Sequence, residues 1–311
     1  MNYKMKIAII GTGGVGGYFG GLLAKAGNEV TFLARGEHLK AIQQNGLIIK
    51  SIHGDFTVDS VKATDQIKLI GPVDLAIIAV KAWQVKAIVE ELPEILRADS
   101  VVLPLENGIL AADELSEHLK EEQVIGGLCR IISKIESPGV ISHFGINPAI
   151  VFGELNNAET ERIHSIKAAF DQAGIHSKIS EDIKADLWKK FIAICVSGLL
   201  AVTKTTYGEL RELKETRQLM IELLQEIYEL SQKIGIHIDA GYVAQALSQI
   251  DAFPYDSTSS LTRDVWEGKP SEIEYQNGTV VKLAEKYGVS VPVNRFVYSS
   301  ILPMEIRARA F

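Results

Sequence analysis

The chain has 311 residues, a formal net charge of −7, and 47% hydrophobic and 23% charged residues. This composition is typical of a globular protein with enough apolar mass for two cores, and the negative charge argues against nucleic acid or an anionic membrane as the main partner. Cys129 and Cys195 are isolated and lack metal-ligand spacing, so we expect no metal site and a reducing, cytoplasmic compartment. The apolar run at the start is too short for a signal peptide, and the longest run, residues 191–202, is too short to span a membrane.

A short apolar run followed by glycines opens the chain. Residues 6–10, KIAII, predict a strand buried on both faces. Gly11, Gly13 and Gly16 follow as G-x-G-x-x-G and lead into a helical pattern over residues 15–26. Gly11 permits a tight turn, Gly13 lets the backbone approach a pyrophosphate, and Gly16 lets helix and strand pack closely. We therefore predict a dinucleotide site at the turn residues Gly11, Thr12, Gly13, Gly14, Val15 and Gly16.

The end of the second predicted strand, residues 29–33, indicates which dinucleotide is bound. An NAD enzyme normally has Asp or Glu there for the ribose 2′-hydroxyl, whereas this chain has Ala34 and Arg35, with no carboxylate until Glu37. A guanidinium suits a 2′-phosphate, so we expect NADPH. The alternatives are a glycine-rich helix start without a ligand and an arginine that is only a solvated loop charge.

Strands and helices alternate through the following residues, which predicts a parallel, doubly wound sheet of the Rossmann type. The pattern predicts a helix at 38–44, strands at 47–51 and 56–61 around a hairpin turn at 53–55, a strand at 73–80, a helical stretch to 96 and a strand at 101–105. Further strands at 124–132, 140–144 and 149–153 precede a helix at 159–173.

Lys81 and Asn107 each follow a predicted strand of this sheet. Ligands of such sheets bind beyond the carboxyl ends of the strands, so we expect both side chains at the cofactor crevice. Lys81 would contact the nucleotide, and Asn107 would hydrogen-bond the nicotinamide side or the substrate. A surface lysine and an Asn-Gly turn remain the alternatives.

From Ser180 onward nearly every segment has a helical pattern. Ser180 and the acidic residues after it suit a helix start. We therefore predict two domains, with a nucleotide-binding domain at 1–180 and an all-helical substrate and catalytic domain at 181–311. The predicted helices cover residues 180–202, 213–234, 239–248, 258–266, 272–287 and 294–309.

A nicotinamide enzyme that reduces a ketone needs a proton donor at the carbonyl oxygen. Lys190 lies on an apolar stripe of the first helix of this half, where desolvation can make a lysine acidic enough to donate. Ser260 and Glu272 are further candidates, although Ser260 could equally be a helix cap, and the pattern alone favours a helix-dipole partner for Glu272. The pattern alone also favours a purely structural Lys190, and periodicity does not show that these groups meet.

Several separated motifs resemble the ketopantoate reductase (2-dehydropantoate 2-reductase) family over nearly the whole chain. The matching pieces are GTGGVG at 11–16, LARG at 33–36, VKAWQV at 80–85, ENG at 106–108, DLWKK at 186–190, YGEL at 207–210, SSLTRD at 259–264, SEIEYQNG at 271–278 and VPVN at 291–294. The resemblance implies an NADPH-dependent reduction of a 2-oxo acid, most simply 2-dehydropantoate to pantoate on the way to pantothenate and coenzyme A.

The resemblance also implies roles for individual residues. Lys190 matches the lysine that protonates the carbonyl oxygen, and Glu272 matches the carboxylate near the nicotinamide ribose and the substrate. Asn107 matches an asparagine that touches cofactor and substrate, and Ser260 matches a serine that holds the substrate carboxylate. Arg35 and Lys81 match residues that favour NADPH.

Three positions depart from the pattern of family members that act on ketopantoate. Those members have asparagines where this chain has Ile194, Gly198 and Tyr207, and loss of hydrogen-bond partners can change substrate discrimination by orders of magnitude. A more apolar 2-oxo acid is therefore an alternative substrate. Another hydroxyacid or polyol-phosphate dehydrogenase and a non-catalytic NADP(H)-sensing protein are the rival classes. A homodimer through the helical half is compatible with the resemblance.

Overall fold

The structure, a computed structural model, describes residues 4–310. Its chain divides into two units: the first runs to Glu106 and from Leu110 to Ile183, and the second combines Asn107–Ile109 with the chain from Lys184 onward. The sequence pattern predicts the boundary near residue 180.

The described part of the first unit forms twelve strands and five α-helices. In chain order they are β1 (Lys6–Ile10), α1 (Gly14–Lys25), β2 (Glu29–Leu33), α2 (Gly36–Asn45), β3 (Leu47–Ser51), β4 (Phe56–Val58), β5 (Lys62–Thr64), β6 (Val73–Ile78), α3 (Val85–Ile88), β7 (Leu96–Pro104), α4 (Ala111–Ser116), β8 (Ile125–Arg130), β9 (Ser133–Ser137), β10 (Val140–His143), β11 (Ala149–Glu154), α5 (Glu161–Gln172) and β12 (His176–Ile179). Short 3-10 turns lie at Ile67–Leu69, Ala82–Gln84, Leu92–Glu94 and Glu121–Gln123.

A five-stranded parallel sheet with the order β5-β2-β1-β6-β7 carries the first unit. Alternate residues of β1 enter different cores: Ile7 and Ile9 pack on one face, and Ala8 and Ile10 pack on the other. Burial on both faces explains why the strand reads as a continuous apolar run rather than as an alternating one. The Rossmann-type prediction is therefore confirmed.

The remaining strands form two smaller sheets, which the prediction of a single doubly wound sheet does not include. One has the order β4-β3-β10-β9 and the other the order β12-β11-β8, and both contain antiparallel pairs. The predicted hairpin turn at 53–55 joins β3 and β4. Strand β9 is almost wholly exposed and β5 has only three residues, so neither shows an apolar alternation from which a strand could be predicted.

The prediction of a helical stretch that extends to residue 96 is wrong. Only Val85–Ile88 is α-helical, a 3-10 turn follows at Leu92–Glu94, and β7 already begins at Leu96. Pro93 explains the early end, because proline has no amide to donate to the carbonyl oxygen of Val89, four residues earlier, and its ring would clash with that carbonyl in a continuous helix.

The second unit is helical, and its helices pack around one apolar core. They are α6 (Ile183–Ile194), α7 (Val196–Thr203), α8 (Tyr207–Glu212), α9 (Lys214–Ile234), α10 (Tyr242–Asp251), α11 (Ser260–Trp266), α12 (Asn277–Tyr287) and α13 (Pro292–Arg309), with a 3-10 turn at Ile273–Tyr275. Helix α6 begins at the last residue of the first unit.

The helix predicted over residues 180–202 breaks at Cys195. The Asn277 side-chain amide donates to the carbonyl oxygen of Cys195 at 3.2 Å, and the Gly198 amide turns back to the same oxygen at 3.2 Å. A side chain inserted into the hydrogen-bond ladder is a known cause of such breaks. The Cys195 thiol is buried, which raises its pKa well above the usual value.

Membrane-spanning helices and metal-binding clusters are both absent from residues 4–310. None of the helices there combines the length and the apolar character that crossing a membrane requires. The same residues contain no group of three or more His, Cys, Asp or Glu side chains placed to hold a metal ion.

Candidate functional site

The glycine turn between β1 and α1 has the geometry that its sequence predicts. Gly11 has a φ of +101°, which side chains rarely tolerate. A Cβ at Gly16 would lie 2.1 Å from the carbonyl oxygen of Gly11, so only glycine allows helix and strand to pack this closely. A Cβ at Gly13 would meet nothing within 4 Å. The turn is therefore closed behind Gly11 and Gly16 and open in front of Gly13.

The start of α1 fits an anionic group. Gly13 occupies the N-cap position, no side-chain hydrogen bond caps the helix, and its first turn carries no acidic residue. Backbone amides at such a helix start attract phosphate. The Thr12 amide and hydroxyl both donate to the carbonyl oxygen of Leu33, at 3.1 and 2.9 Å, which ties the turn to the end of β2. These residues fit the diphosphate of a dinucleotide.

Arg35 lies exposed at the N-cap of α2, two residues after β2 ends. Among the described residues its guanidinium has no hydrogen bond or ion pair, so it is available to a phosphate. Glu37, the nearest carboxylate after β2, accepts from Lys40 at 2.7 Å. That ion pair occupies the only acidic group in the first turn of α2, where an NAD site would need a carboxylate for the ribose.

Lys81 comes after β6 and before the 3-10 turn at Ala82–Gln84. Its ammonium group lies 5.7 Å from the centre of the Trp83 ring, and its backbone amide donates to the Gln84 side chain at 3.1 Å. Lys81 is partly buried. It therefore adds positive charge at the carboxyl end of a central strand of the parallel sheet.

Asn107 and Glu272 meet in the second unit, although 165 residues separate them in the chain. The Asn107 side-chain amide donates to Glu272 Oε2 at 3.0 Å. Glu272 is only 3% exposed and precedes the 3-10 turn at Ile273–Tyr275. The structure thus joins two of the residues that the sequence proposes for catalysis and cofactor contact.

Helix α13 fixes the segment that carries Glu272. The carboxylate of Glu305, itself paired with Arg309 at 2.6 Å, accepts from the amide of Ser271 at 2.9 Å and from its hydroxyl at 2.6 Å. On the other side, the Tyr298 hydroxyl donates to Glu274 at 2.6 Å. Glu272 is therefore held between two anchored neighbours, so its carboxylate has a defined position.

Lys190 belongs to α6 and is 9% exposed. Its neighbour Lys189 is about one-third exposed and lies 3.6 Å from Asp186. The two lysines therefore face different surroundings, as the helical pattern predicts. Within residues 4–310, Lys190 is the one lysine or arginine that is buried, and it belongs to the same unit as Asn107 and Glu272.

Ser260 is the first residue of α11 and is exposed. The cap of that helix is Ser259, whose hydroxyl accepts from the Thr262 amide at 3.1 Å. Thr262 in turn donates from its hydroxyl to the carbonyl oxygen of Ser197 at 2.9 Å. Of the two serines, Ser259 stabilises the helix and Ser260 presents its side chain at the surface.

The three positions that depart from the family pattern are packed into the helical unit. Ile194 packs against its core. A Cβ at Gly198 would lie 2.4 Å from Asn277 Oδ1, so the Asn277 amide fills the space that a side chain would occupy. Tyr207 is buried, its ring meets Phe253 edge to face at 5.0 Å, and burial raises its pKa to about 12. These three positions therefore lack the side-chain amides that asparagines would supply there.

Two features escaped the sequence reasoning. Asn277 links Cys195 to Asn294, whose amide nitrogen donates to the buried Glu226 at 2.8 Å. His38 hydrogen-bonds the carbonyl oxygen of Thr12 at 2.9 Å. The local sequence around Asn277 and His38 does not indicate these contacts, because each side chain bonds a backbone carbonyl that is distant in sequence.

Family models match most of the chain. Residues 7–157 match the model described as "Ketopantoate reductase PanE/ApbA", and residues 182–305 match "Ketopantoate reductase PanE/ApbA C terminal". Apart from Asn107–Ile109, the first match lies in the first unit, and apart from residues 182–183 the second match lies in the second unit.

Individual relatives and a solved structure agree with these models. An uncharacterized oxidoreductase of Bacillus subtilis is 31% identical over 300 residues, 96% of this chain and 98% of that protein. A 2-dehydropantoate 2-reductase of Nostoc is 32% identical over 313 residues, 98% of this chain and 97% of its own length. The crystal structure of a ketopantoate reductase of the PanE/ApbA family from Ralstonia eutropha superposes with a TM-score of 0.90 at 29% identity, covering 98% of this chain and all of that one (100%).

Proposed function

The chain belongs to the ketopantoate reductase family of oxidoreductases, and from that premise we propose that it reduces a 2-oxo acid to the 2-hydroxy acid with NADPH. The leading substrate is 2-dehydropantoate, the substrate in the name of the Nostoc relative. The observation that carries the proposal is the hydrogen bond between Asn107 and Glu272, in the unit that also holds the buried Lys190.

The cofactor assignment rests on charge and space in the first unit. The open face of Gly13 and the uncapped start of α1 suit a diphosphate. Arg35 suits the 2′-phosphate, and the pairing of Glu37 with Lys40 leaves that carboxylate poorly suited to a ribose hydroxyl. Lys81 adds a second cation. Together these features favour NADPH over NADH.

Each candidate residue of the second unit has a role in this reaction. When bound, NADPH supplies a hydride to the 2-oxo carbon. Lys190 donates a proton to the carbonyl oxygen as it becomes a hydroxyl. Glu272 orients Asn107 by accepting from its amide, which leaves the Asn107 oxygen to accept from cofactor or substrate. Ser260 offers a hydroxyl to the substrate carboxylate.

A more apolar 2-oxo acid is the second candidate substrate. Ile194, Gly198 and Tyr207 replace asparagines of ketopantoate-active relatives, and all three are packed within the helical unit. A pocket without those amides discriminates less strongly in favour of hydroxylated substrates and accepts branched or aromatic side chains more readily.

A substrate panel tests the proposal. The purified protein is mixed with NADPH and 2-dehydropantoate, 2-oxoisovalerate, 2-oxoisocaproate or phenylglyoxylate, and loss of nicotinamide absorbance is followed. Preference for 2-dehydropantoate supports the leading substrate, and preference for another acid supports the second. Tight NADPH binding without turnover of any acid would contradict the catalytic proposal and favour the NADP(H)-sensing alternative. The Lys190→Ala variant controls for contaminating reductases.

A further inference from the structure

His38, in the first turn of α2, hydrogen-bonds backbone groups through both ring nitrogens. Nε2 lies 2.9 Å from the carbonyl oxygen of Thr12, and Nδ1 accepts from the amide of Gly139 at 3.0 Å. A backbone amide can only donate, so Nδ1 carries no proton. The ring proton is therefore on Nε2, which donates to Thr12.

The bond from His38 completes the immobilisation of Thr12. The amide and hydroxyl of Thr12 already donate to Leu33, and His38 now holds its carbonyl oxygen. In a trans peptide the carbonyl and the following amide point in opposite directions, and the described chain contains no cis bond. Fixing the Thr12 carbonyl toward His38 consequently fixes the Gly13 amide away from His38.

We propose that His38 is a positioning residue for the cofactor diphosphate: by holding the Thr12 carbonyl it aims the Gly13 amide at the open face of the glycine turn. This inference rests on the proposed cofactor site. A Cβ at Gly13 would meet nothing within 4 Å, so the structure leaves space beside this residue for a phosphate group. Pre-orientation of such an amide strengthens binding because no ordering is required when the ligand arrives.

The same geometry requires a neutral ring. A proton on Nδ1 would bring two donors together, since Gly139 presents its amide there. Burial lowers the pKa of His38, and its hydrogen bond to Thr12 opposes part of that shift. The charged side chains at α2 and on the strands beside the Gly139 turn are Arg35, Glu37, Lys40, Lys50, Lys134 and Glu136, and His143 on β10 is a second imidazole there. Glu37 pairs with Lys40, Glu136 pairs with Lys50, and the ammonium group of Lys134 lies 5.9 Å from the centre of the Phe144 ring.

Two substitutions separate the two hydrogen bonds of His38. Glutamine places an amide donor near the position of Nε2, so His38→Gln keeps the bond to Thr12 and loses the one to Gly139. Asparagine places an acceptor near the position of Nδ1, so His38→Asn keeps the bond to Gly139 and loses the one to Thr12. Each variant lacks one bond, which makes them a matched pair for stability.

The experiment measures dissociation constants of NADPH and of adenosine 2′-monophosphate, which carries the 2′-phosphate but no diphosphate. Thermal unfolding without ligand monitors the fold. We expect His38→Asn to weaken NADPH binding about tenfold, the order expected for one hydrogen bond, while His38→Gln stays near the wild type. Binding of adenosine 2′-monophosphate should be the same in all three proteins.

Other outcomes overturn the inference. Equal NADPH affinity of the Asn and Gln variants would show that the Thr12 bond does not position the diphosphate. Parallel weakening of adenosine 2′-monophosphate would show a general disturbance of the nucleotide site. If the wild type binds adenosine 2′-monophosphate and NADPH equally weakly, the diphosphate site itself is absent, and the proposed function fails together with the role of His38.

Discussion

The glycine turn of the first unit and the polar group of the second offer different kinds of chemistry. At the turn, the groups offered to a ligand are backbone amides at the start of α1, and the constraints are steric: a positive φ at Gly11 and no room for a Cβ at Gly16. In the helical unit, side chains from separate elements meet, as Asn107 meets Glu272. A backbone site tolerates few residue types locally, whereas a side-chain site depends on the packing of distant segments.

This difference predicts how each region responds to substitution. Truncating a side chain that acts on the reacting atoms removes its whole contribution to the rate. Substitutions of catalytic residues in the helical unit should therefore cause large losses of turnover. Contacts to the cofactor are shared among several groups, so single changes in the first unit should have smaller effects on affinity or preference. Two experiments test this contrast through turnover and cofactor preference, and two more test the packing of each unit through its stability.

The largest effect is expected for Lys190→Ala. Loss of the proton donor should lower kcat about 10²- to 10⁴-fold, while the dissociation constant of NADPH changes little. The measurements are steady-state turnover on the best substrate and fluorescence titration with NADPH. Lys189→Ala is the matched control. Because Lys189 is partly exposed and lies beside Asp186, its loss should leave turnover near normal. Full activity of Lys190→Ala would remove this lysine from the mechanism.

A smaller effect is expected for Arg35→Asp. Replacing the guanidinium by a carboxylate should lower the ratio of kcat/KM for NADPH to that for NADH about 10- to 100-fold, because a charge-assisted hydrogen bond to the 2′-phosphate is lost. Lys120→Asp makes the same change from a positive to a negative charge at an exposed residue of the same unit, leaves the Glu37–Lys40 pair intact, and should leave the ratio nearly unchanged. A ratio equally altered by both variants would mean that net charge alone sets the preference.

The third effect concerns packing at Gly198. A Cβ there would lie 2.4 Å from Asn277 Oδ1, and overpacking of this kind costs about 1–3 kcal/mol, offset in part by about 1 kcal/mol from alanine's better helix propensity. We expect Gly198→Ala to lower the free energy of unfolding, measured by denaturant titration. Gly241→Ala is the control, since a Cβ there meets nothing within 4 Å. Adding Asn277→Ala should recover part of the loss at Gly198, and additive losses would exclude the contact.

The smallest effect is a dependence of stability on pH through His38. Its pKa in the folded protein is lowered from 6.5, so below that pH the unfolded chain takes up a proton that the folded chain resists. The stability contribution is therefore complete above pH 6.5 and is lost as the pH falls toward the lowered pKa. Denaturant unfolding at about pH 8 and about pH 5 should show a larger loss for the wild type than for His38→Gln. Identical losses would contradict the lowered pKa.

The two regions also differ in how much of them could be predicted from sequence. The turn from Gly11 to Gly16 follows from local residue types, and the parallel sheet follows from apolar runs such as β1. Periodicity cannot bring Glu272 to Asn107, because that contact depends on tertiary packing; only the family resemblance suggested it. Exposed strands such as β9 gave no apolar signal, and the break at Cys195 depends on a hydrogen bond from Asn277.

The assignment of Asn107–Ile109 to the helical unit limits how the two halves can be cut apart. Ile109 packs against the helical core, and Asn107 is bonded to Glu272. A fragment that stops after Ile183 would keep this tripeptide but lose the helical core against which Ile109 packs and the carboxylate that accepts from Asn107. A chimera made from two homologues with one junction near residue 183 would likewise combine residues 107–109 of one parent with Glu272 of the other. Chimeras of these proteins therefore need a second junction, around residues 107–109, to inherit an intact site.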